Sequence, residues 1–449
     1  MKKIILTTLL ITATACCYAQ ISDKKSKQIT QYFAAVLGND STAKCPDKSI
    51  KMDKIADTRA AVWACWRNAV EALHEDKLPA AVEAGVKDTL YWAMPTHPEE
   101  GARMPFHYIY KGDKPASGYP LFLYMHGSGS KIREWETGYI ICSRFDDAPS
   151  LYFIPQIPSE RHYRWAIPTQ QWAWEKLLRL AFLSGDVDAN KIFFFGISEG
   201  GYGSQRLASF YADYLAGAGP MAGGEPLQNA PAENLANIAF SLRTGEKDYG
   251  FGRNYMTHIA AKTLDSLRTA HPGLYNHYIE LIPGMGHGIN YDATTPWLAQ
   301  YTRNPHPAYF YWEDYDMYGC RRKGFYNLRV NEPSRENEQQ HTCYEVIRNG
   351  NTINIMVKNV TYTTIESLYN IPMVFKKDYT PATKGNITIF LNEENIDLAK
   401  PVTITVNGHT AFKGKVKPSI KAMAESCALF FDPERVFPAA VDVDIKQAM

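Results

Sequence analysis

Residues 192–203 read IFFFGISEGGYG, an apolar run that ends in a serine enclosed by glycines. The apolar run predicts a buried strand, and residues 201–213 have the pattern of a helix. A G-x-S-x-G sequence between a strand and a helix is typical of a nucleophile elbow, a sharp turn that exposes the serine. Side chains two positions to either side of the serine would crowd each other, so Gly196 and Gly200 permit the turn. The pattern predicts Ser198 as a nucleophile; a glycine-rich turn without catalytic function is the alternative.

The surrounding chain, from residue 119 to about 302, alternates short apolar runs with helical stretches. The predicted strands are 119–125, 150–155, 191–196, 214–221, 237–245 and 277–283, and the predicted helices are 170–185, 201–213 and 253–270. Strands that are apolar throughout and separated by helices indicate a parallel sheet covered on both faces. Two aromatic strands, 88–94 and 104–110, are predicted to form a hairpin before it.

The sequence HGSGS, residues 126–130, directly follows the predicted strand 119–125. Such a turn can supply a backbone N–H group to an oxyanion hole, together with the N–H group of the residue after the nucleophile. We therefore expect Ser128, Gly129 and Glu199 to form the oxyanion hole. His126 is expected to have a structural role in this turn.

Two further side chains complete a candidate triad. Asp248 follows the strand 237–245, and His287 follows the strand 277–283 within the sequence GMGH. The order serine, aspartate, histidine and the position of each after a strand fit an active site at the carboxyl edge of a sheet. Glu246, two residues before Asp248, is the alternative acid. His287 is expected to take the serine proton and Asp248 to orient the imidazole, which requires no cofactor or metal.

With HGSGS, GISEGG, GEKD and GMGH, residues 119–302 resemble the α/β-hydrolase superfamily. The resemblance is strongest to secreted serine esterases of the group that includes esterase D, feruloyl esterases and polyhydroxybutyrate depolymerases. It implies an α/β-hydrolase fold, with a mostly parallel sheet and helices on both faces, and hydrolysis of carboxylic esters, including acyl esters on glycans. Glu199 stands where many relatives have His, Tyr, Asn or Met.

Candidate substrate contacts follow the strand 150–155. The loop SERHYRW, residues 159–165, is expected to overhang the site, so that Arg161, Arg164 and Trp165 contact an acidic or sugar-bearing acyl ester. Glu225 in the sequence AGGEP is a further candidate. An ordinary solvent-exposed loop is the alternative interpretation.

Two other functions fit parts of the chain. The elbow also resembles that of prolyl-oligopeptidase-like serine exopeptidases, but residues 21–118 are too short and too helical for the β-propeller of those enzymes.

Residues 307–449 predict a small antiparallel β domain, in which the NG pairs at 349–350 and 407–408 indicate hairpins. Its aromatic run YFYWEDYDMY, residues 309–318, also fits a carbohydrate-binding protein on a hydrolase scaffold.

The first nineteen residues predict a signal peptide, with Lys2 and Lys3 before a short apolar stretch and cleavage after Ala19. Lipidation of Cys16, as in bacterial lipoproteins, is the alternative. We therefore expect an exported protein, periplasmic or secreted, without a transmembrane segment. The predicted domains are a helical extension at 20–85, a catalytic domain at 86–306 and the β domain at 307–449.

The charge of the chain bears on its binding partners, and its cysteines bear on possible disulfides. Lys and Arg number 48 and Asp and Glu number 47, so the chain lacks the basic excess of a nucleic-acid-binding protein. The expected partner is a small-molecule or glycan ester substrate. Six cysteines follow the signal peptide; Cys45–Cys65 and Cys320–Cys343 could pair by proximity in sequence, and free buried thiols are the alternative.

Overall fold

A computed structural model of the chain describes residues 21–40, 42–73 and 77–446. The predicted signal peptide and Cys16 lie outside the described residues. The helices are α1 (Asp23–Leu37), α2 (Ile55–Glu71), α3 (Lys131–Arg144), α4 (Pro168–Ser184), α5 (Glu199–Phe210), α6 (Arg253–Ala270), α7 (Thr294–Leu298) and α8 (Ile420–Phe430). The strands of the first part are β1 (Val82–Glu83), β2 (Leu90–Ala93), β3 (Arg103–Lys111), β4 (Tyr119–Met125), β5 (Ser150–Pro155), β6 (Val187–Ile197), β7 (Gly217–Met221), β8 (Ala239–Gly245) and β9 (His277–Ile282). The strands that follow are β10 (Tyr309–Asp314), β11 (Gly324–Phe325), β12 (Leu328–Glu332), β13 (His341–Asn349), β14 (Thr352–Leu368), β15 (Ile371–Pro381), β16 (Asn386–Leu391), β17 (Val402–Val406), β18 (His409–Gly414) and β19 (Ala439–Asp444).

The first nine strands form one sheet in the order β1-β3-β5-β4-β6-β7-β8-β9, with β2 also paired to β3. The pairs from β5 to β9 are parallel, and β3 runs antiparallel to β2 and β5. All residues of β4, β5, β7 and β8 are buried, as expected for strands of a parallel sheet that is covered on both faces. The predicted α/β-hydrolase fold class is confirmed.

Strand register brings the candidate residues to one edge of the sheet. Met125, the last residue of β4, pairs with Gly196 in β6, so the HGSGS turn begins beside the elbow. Gly245 at the end of β8 pairs with Ile282 at the end of β9. The loops that carry Asp248 and His287 therefore start side by side at the same edge.

The C-terminal part forms two further sheets. One has the order β10-β13-β14-β17-β18, with β15 also paired to β14, and the other has the order β11-β12-β16-β19. Both NG pairs lie in hairpin turns, between β13 and β14 and between β17 and β18, as predicted. The strand pairs of these two sheets are antiparallel, as the sequence predicted, except β14–β17, which is parallel.

The N-terminal helices pack against the C-terminal part of the chain. Helix α2 contacts α8, and Arg59 donates from Nε to the carbonyl oxygen of Val436 at 3.0 Å and from Nη2 to Glu393 at 2.6 Å. The segment 20–85 is not helical throughout, because β1 pairs with β3 and belongs to the main sheet. The sheet therefore begins before the predicted boundary at residue 86.

A buried charge cluster joins the two large parts of the chain. Arg303 donates from Nη1 to Oδ2 of Asp432 at 2.6 Å, and Arg435 donates from Nε to the same oxygen at 2.8 Å. Arg435 also forms a hydrogen bond with Asp213 and lies 4.0 Å from the ring centre of Tyr214. These contacts and a shared apolar core hold both parts as one body.

Three other features considered in the sequence are the cysteines, the aromatic run 309–318 and helices that could span a membrane. The six cysteines within the described residues are free thiols, so neither suggested disulfide is present. In the aromatic run 309–318, Phe310, Trp312 and Tyr315 are buried in the core and cannot form an exposed sugar platform. No helix in the described part of the chain is long and apolar enough to cross a membrane.

Candidate active site

The elbow places Ser198 between β6 and α5 with φ 56° and ψ −111°. This positive φ is strained for a residue with a side chain, and such strain is concentrated at functional sites. A Cβ atom at Gly200 would lie 1.9 Å from the carbonyl oxygen of Met125, and one at Gly196 would lie 2.5 Å from the same oxygen. The turn therefore requires glycine at both positions, because the backbone of β4 occupies the space.

Ser198, His287 and Asp248 form a continuous chain of hydrogen bonds. The distance from His287 Nε2 to Ser198 Oγ is 3.0 Å, and that from His287 Nδ1 to Asp248 Oδ2 is 2.7 Å. An ionised carboxylate only accepts hydrogen bonds, so Nδ1 carries a proton and donates a hydrogen bond to Asp248. In the neutral ring Nε2 is then the acceptor for the serine hydroxyl, the arrangement that a general base requires.

Asp248 is 3% exposed and is held from two sides. Its Oδ1 accepts a hydrogen bond from Nη1 of Arg253 at 2.9 Å, while Oδ2 faces the imidazole. The alternative acid, Glu246, instead accepts the backbone N–H of Gly284 at 2.8 Å. Of the two acids, Asp248 contacts His287, and Glu246 fixes the loop that carries it.

The HGSGS turn lies against the elbow. A Cβ atom at Gly127 would lie 3.4 Å from the Cβ of Ser198, and Ser128 lines the same cavity as Ser198. The backbone of Gly129 packs against the side chain of Glu134, whose pKa is raised by burial against the opposing effect of Arg133. Glu199 is the first residue of α5, where backbone N–H groups have no acceptor within the helix.

His126 holds this turn from within the protein. Its Nε2 accepts the backbone N–H of Ile157 at 3.0 Å, so its Nδ1 carries the proton and donates to the carbonyl oxygen of Gly127 at 2.8 Å. Tyr163 Oη donates to the same carbonyl at 2.6 Å, and Trp165 Nε1 donates to the carbonyl of His126 at 2.9 Å. Burial lowers the pKa of His126 to about 4, so the ring is neutral near pH 7.

A cavity of about 350 Å³ opens beside Ser198. Its wall combines aromatic rings with arginine and glutamate side chains. It is lined by Ser128, Tyr163, Arg164, Trp165, Ala166, Ser198, Glu199, Tyr202, Gly203, Arg206, Gly224, Glu225, Pro226, Asn229, Phe251, Arg253, Met256, Tyr318 and Ile371. A cavity of this size and mixed polarity fits a small organic group.

The four predicted substrate contacts have different positions. Arg164, Trp165 and Glu225 line the cavity, whereas Arg161 does not. Arg164 donates from Nη1 to Glu199 at 2.7 Å, and the pKa of Glu199 is raised by its burial, against the opposing effect of Arg164. Arg161 is exposed on the loop 159–165, in agreement with the alternative interpretation of an ordinary solvent-exposed loop.

Glu225 and Arg206 form a paired group in the cavity wall. Arg206 Nε lies 2.8 Å from Oε1 of Glu225, its Nη2 lies 3.0 Å from Oε2, and Asn229 donates to Oε2 at 3.2 Å. The carboxylate is therefore held by a forked guanidinium, a geometry that is both strong and directional. Any group bound beside it meets polar atoms in fixed positions.

Sequence reasoning missed several lining residues. Tyr202 and Arg206 follow Ser198 by four and eight positions on α5, and this helical spacing could have identified them. Arg253 is the first residue of α6, five positions after Asp248, and the sequence predicted its helix but not its contact with Asp248. Tyr318 and Ile371 come from the C-terminal part, and no local pattern places them near Ser198.

Comparisons with known proteins add the following. No protein-family model matches the chain, and no curated protein matches it. In structure the chain is similar to a thermostable esterase, with 21% identity and a TM-score of 0.36 over 48% of this chain and 64% of that protein, less than two thirds of its length. It is also similar to an S-formylglutathione hydrolase from Staphylococcus aureus, with 15% identity and a TM-score of 0.36 over 48% of this chain and 98% of that protein. A ferulic acid esterase from Anaeromyces mucronatus is 13% identical, with a TM-score of 0.34 over 51% of this chain and 94% of that protein.

Proposed function

We propose that the protein is a serine hydrolase that cleaves carboxylic esters through an acyl-enzyme. The observation that carries this proposal is the hydrogen-bonded chain from Ser198 Oγ through His287 to Asp248. The strained elbow and the HGSGS turn beside it support the same conclusion, because such a turn is a source of the backbone N–H donors that an oxyanion requires.

The proposed steps follow from this geometry. Ser198 Oγ attacks the acyl carbon while His287 Nε2 takes its proton, and Asp248 stabilises the imidazolium. The N–H group of Glu199 and those of Ser128 and Gly129 stabilise the oxyanion, assisted by the positive end of α5. His287 then protonates the leaving alcohol, and a water molecule activated by the same imidazole releases the acid from Ser198.

We further propose that the protein acts outside the cytoplasm on an ester of a small molecule or glycan. The signal-peptide features of residues 1–19 support export, and the polar and aromatic cavity wall supports a substrate with hydrogen-bonding groups. N-terminal analysis of the exported protein tests the first point; Gln20 is the expected first residue, whereas a lipid-modified Cys16 would identify a lipoprotein.

Ester hydrolysis is tested with nitrophenyl acetate under pre-steady-state conditions. The expected result is a burst of nitrophenol from acyl-enzyme formation and a loss of roughly a thousandfold or more in kcat for Ser198→Ala. Ser204→Ala is the matched control, because this buried hydroxyl of α5 donates to the carbonyl of Gly201 at 3.1 Å and does not line the cavity.

Two outcomes would redirect the proposal. Hydrolysis at the wild-type rate by Ser198→Ala would exclude the proposed nucleophile. Turnover of peptide aminomethylcoumarins without turnover of esters would favour the exopeptidase alternative. Acyl release from an acylated polysaccharide, compared with nitrophenyl acetate, tests the glycan part of the proposal.

A further inference from the structure

The hairpin formed by β14 and β15 extends beyond the rest of its sheet. Pairing between β13 and β14 ends at His341↔Val360, so residues 361–368 and 371–378 pair only with each other. Eight residues per strand correspond to roughly 25 Å of extended chain. The turn residues Tyr369 and Asn370 have φ of 52° and 59°, as in the tight turns that connect such hairpins.

The tip of this hairpin contacts the loop that follows Asp248. A Cβ atom at Gly252 would lie 2.7 Å from Cε of Met373 and 3.0 Å from Cδ2 of Leu368. Tyr255, at the start of α6, donates from Oη to Glu366 at 2.9 Å. The tip therefore packs on the segment that carries Arg253, the partner of Asp248.

The base of the hairpin is anchored by a buried charged group. Lys377 donates from Nζ to Glu233 at 2.7 Å and to Glu313 at 2.9 Å. Tyr362, which pairs with Lys377 across the hairpin, donates from Oη to Glu313 at 2.6 Å. With both its base and its tip in contact with the rest of the protein, the hairpin has a fixed position over the cavity.

The hairpin also contributes directly to the cavity. Ile371, the first residue of β15, lines it together with Ser198, and Phe251 and Met256 add apolar surface. Ile371 therefore adds an apolar side chain from the C-terminal part of the chain to the wall of the cavity.

We propose that the tip of the β14–β15 hairpin is the specificity element of the active site, with Ile371 limiting the length of the apolar substrate group that the cavity accepts. This proposal rests on the proposed function. A smaller side chain at position 371 should admit longer groups, and a larger one should exclude groups that the wild type accepts. Hydrophobic pockets discriminate in this way, by roughly tenfold or more for each methylene group gained or lost.

The test compares labelling rates with two alkyl fluorophosphonates, one ethyl and one decyl, because these probes require no knowledge of the natural substrate. The measured quantity is the ratio of the decyl to the ethyl rate constant. We expect Ile371→Ala to raise this ratio roughly tenfold and Ile371→Trp to lower it. Ile365→Ala is the matched control, since Ile365 is an exposed residue of the same hairpin and does not line the cavity.

A ratio that stays at the wild-type value in both Ile371 variants, while the ethyl probe labels them, would overturn this proposal and leave the proposed function standing. An equal change in Ile365→Ala would overturn it as well, because the effect would not depend on the cavity wall. Absence of labelling of folded wild-type protein by the ethyl probe would overturn both proposals. If Ile371→Trp does not fold, Ile371→Ala alone decides the question.

Discussion

Glycines near the site differ in how much space surrounds them. At Gly200 a side chain would meet the backbone of β4, whereas at Gly286, beside His287, nothing lies within 4 Å of an added Cβ atom. Both positions look alike in the sequence, since each is a glycine within two positions of a predicted catalytic residue. Their structural roles are different: Gly200 permits a close approach of two backbones, and Gly286 occupies open space.

This difference gives a paired prediction. Gly200→Ala should lower the free energy of unfolding by about 3 kcal/mol or more, because the overlap involves backbone atoms that cannot rotate away. Gly286→Ala should change it by less than about 0.5 kcal/mol. Urea denaturation of both variants measures the effect, and equal stabilities would show that the elbow is not as tightly packed as described.

His126 gives a prediction for pH dependence. Burial depresses the pKa of this histidine to about 4, below the value of about 6.5 in an unfolded chain. The unfolded state therefore binds a proton that the folded state does not, and the associated stability is present above pH 6.5 and lost as the pH falls towards 4. The loss from this group should reach about 1.4 kcal/mol per pH unit within that range.

An NMR titration of the His126 ring is the direct measurement. The ring should stay neutral until about pH 4, and the oxyanion turn should keep its structure over the same range. A midpoint near the ordinary value for histidine would contradict the hydrogen bonds assigned to His126, because protonated Nε2 could not accept the N–H of Ile157.

Among the elements, β15 differs from the core strands in its environment. Residues of β4 are all buried, whereas most residues of β15 are exposed or half-buried. Only a few side chains attach β15 to the rest of the protein. Among its charged side chains, that of Lys377 is the most buried. Burial opposes the charge on Lys377, but the carboxylates of Glu233 and Glu313 outweigh it and raise its pKa.

Replacing this lysine should therefore destabilise the protein strongly. Lys377→Met would leave the buried Glu313 with His341 and Tyr362 but without the lysine cation, and the loss should be roughly 3 kcal/mol. Lys376→Met is the control, because Lys376 pairs with Asp378 at the surface and should change stability by less than about 0.5 kcal/mol. Similar denaturation midpoints for the two variants would show that the hairpin is not anchored at its base.

The same contrast explains which elements the sequence predicts. Strands β4 and β5 were predicted at their observed bounds, because every residue in them is buried and their apolar runs are continuous. Strand β15 was not predicted. The β14–β15 hairpin is exposed on both sides, so its sequence needs neither an alternation of apolar and polar residues nor a continuous apolar run. Helix α3 was also missed, although its buried residues, Trp135, Gly138, Tyr139 and Cys142, have the spacing of one helix face.

The residues of the candidate site also fall into those that the sequence predicts and those that it does not. Ser198, Asp248 and His287 each follow a strand, so chain order and strand ends were sufficient to select them. Ile371 lies 173 positions from Ser198 and reaches the cavity only because the hairpin docks on the Gly252 loop. Such docking depends on tertiary contacts that leave no signal near either residue.

At the scale of the whole molecule, the three predicted domains share one buried interior. Helix α8 packs against α1 and α2, and the charge cluster of Arg303, Asp432 and Arg435 lies between the main sheet and the C-terminal part. One continuous apolar core includes residues from all three segments. The segments are therefore expected to depend on one another for stability.

This dependence predicts a single cooperative unfolding transition. Calorimetry should show one transition for residues 20–449, and a fragment of residues 307–449 should lack the near-ultraviolet circular dichroism of packed aromatic side chains, because exposing the shared core removes its support. Two well-separated transitions, or a folded fragment, would show that the C-terminal part is an independent module.

The central claim is that Ser198 is a nucleophile activated by His287. The most direct measurement is treatment with a fluorophosphonate, followed by peptide mass spectrometry, of wild type, Ser198→Ala and His287→Ala. The account predicts a phosphonyl group on the peptide that contains Ser198 in the wild type and none on that peptide in either variant. Folded wild type that takes up no label, or label that persists at another residue in Ser198→Ala at the same rate, would contradict it.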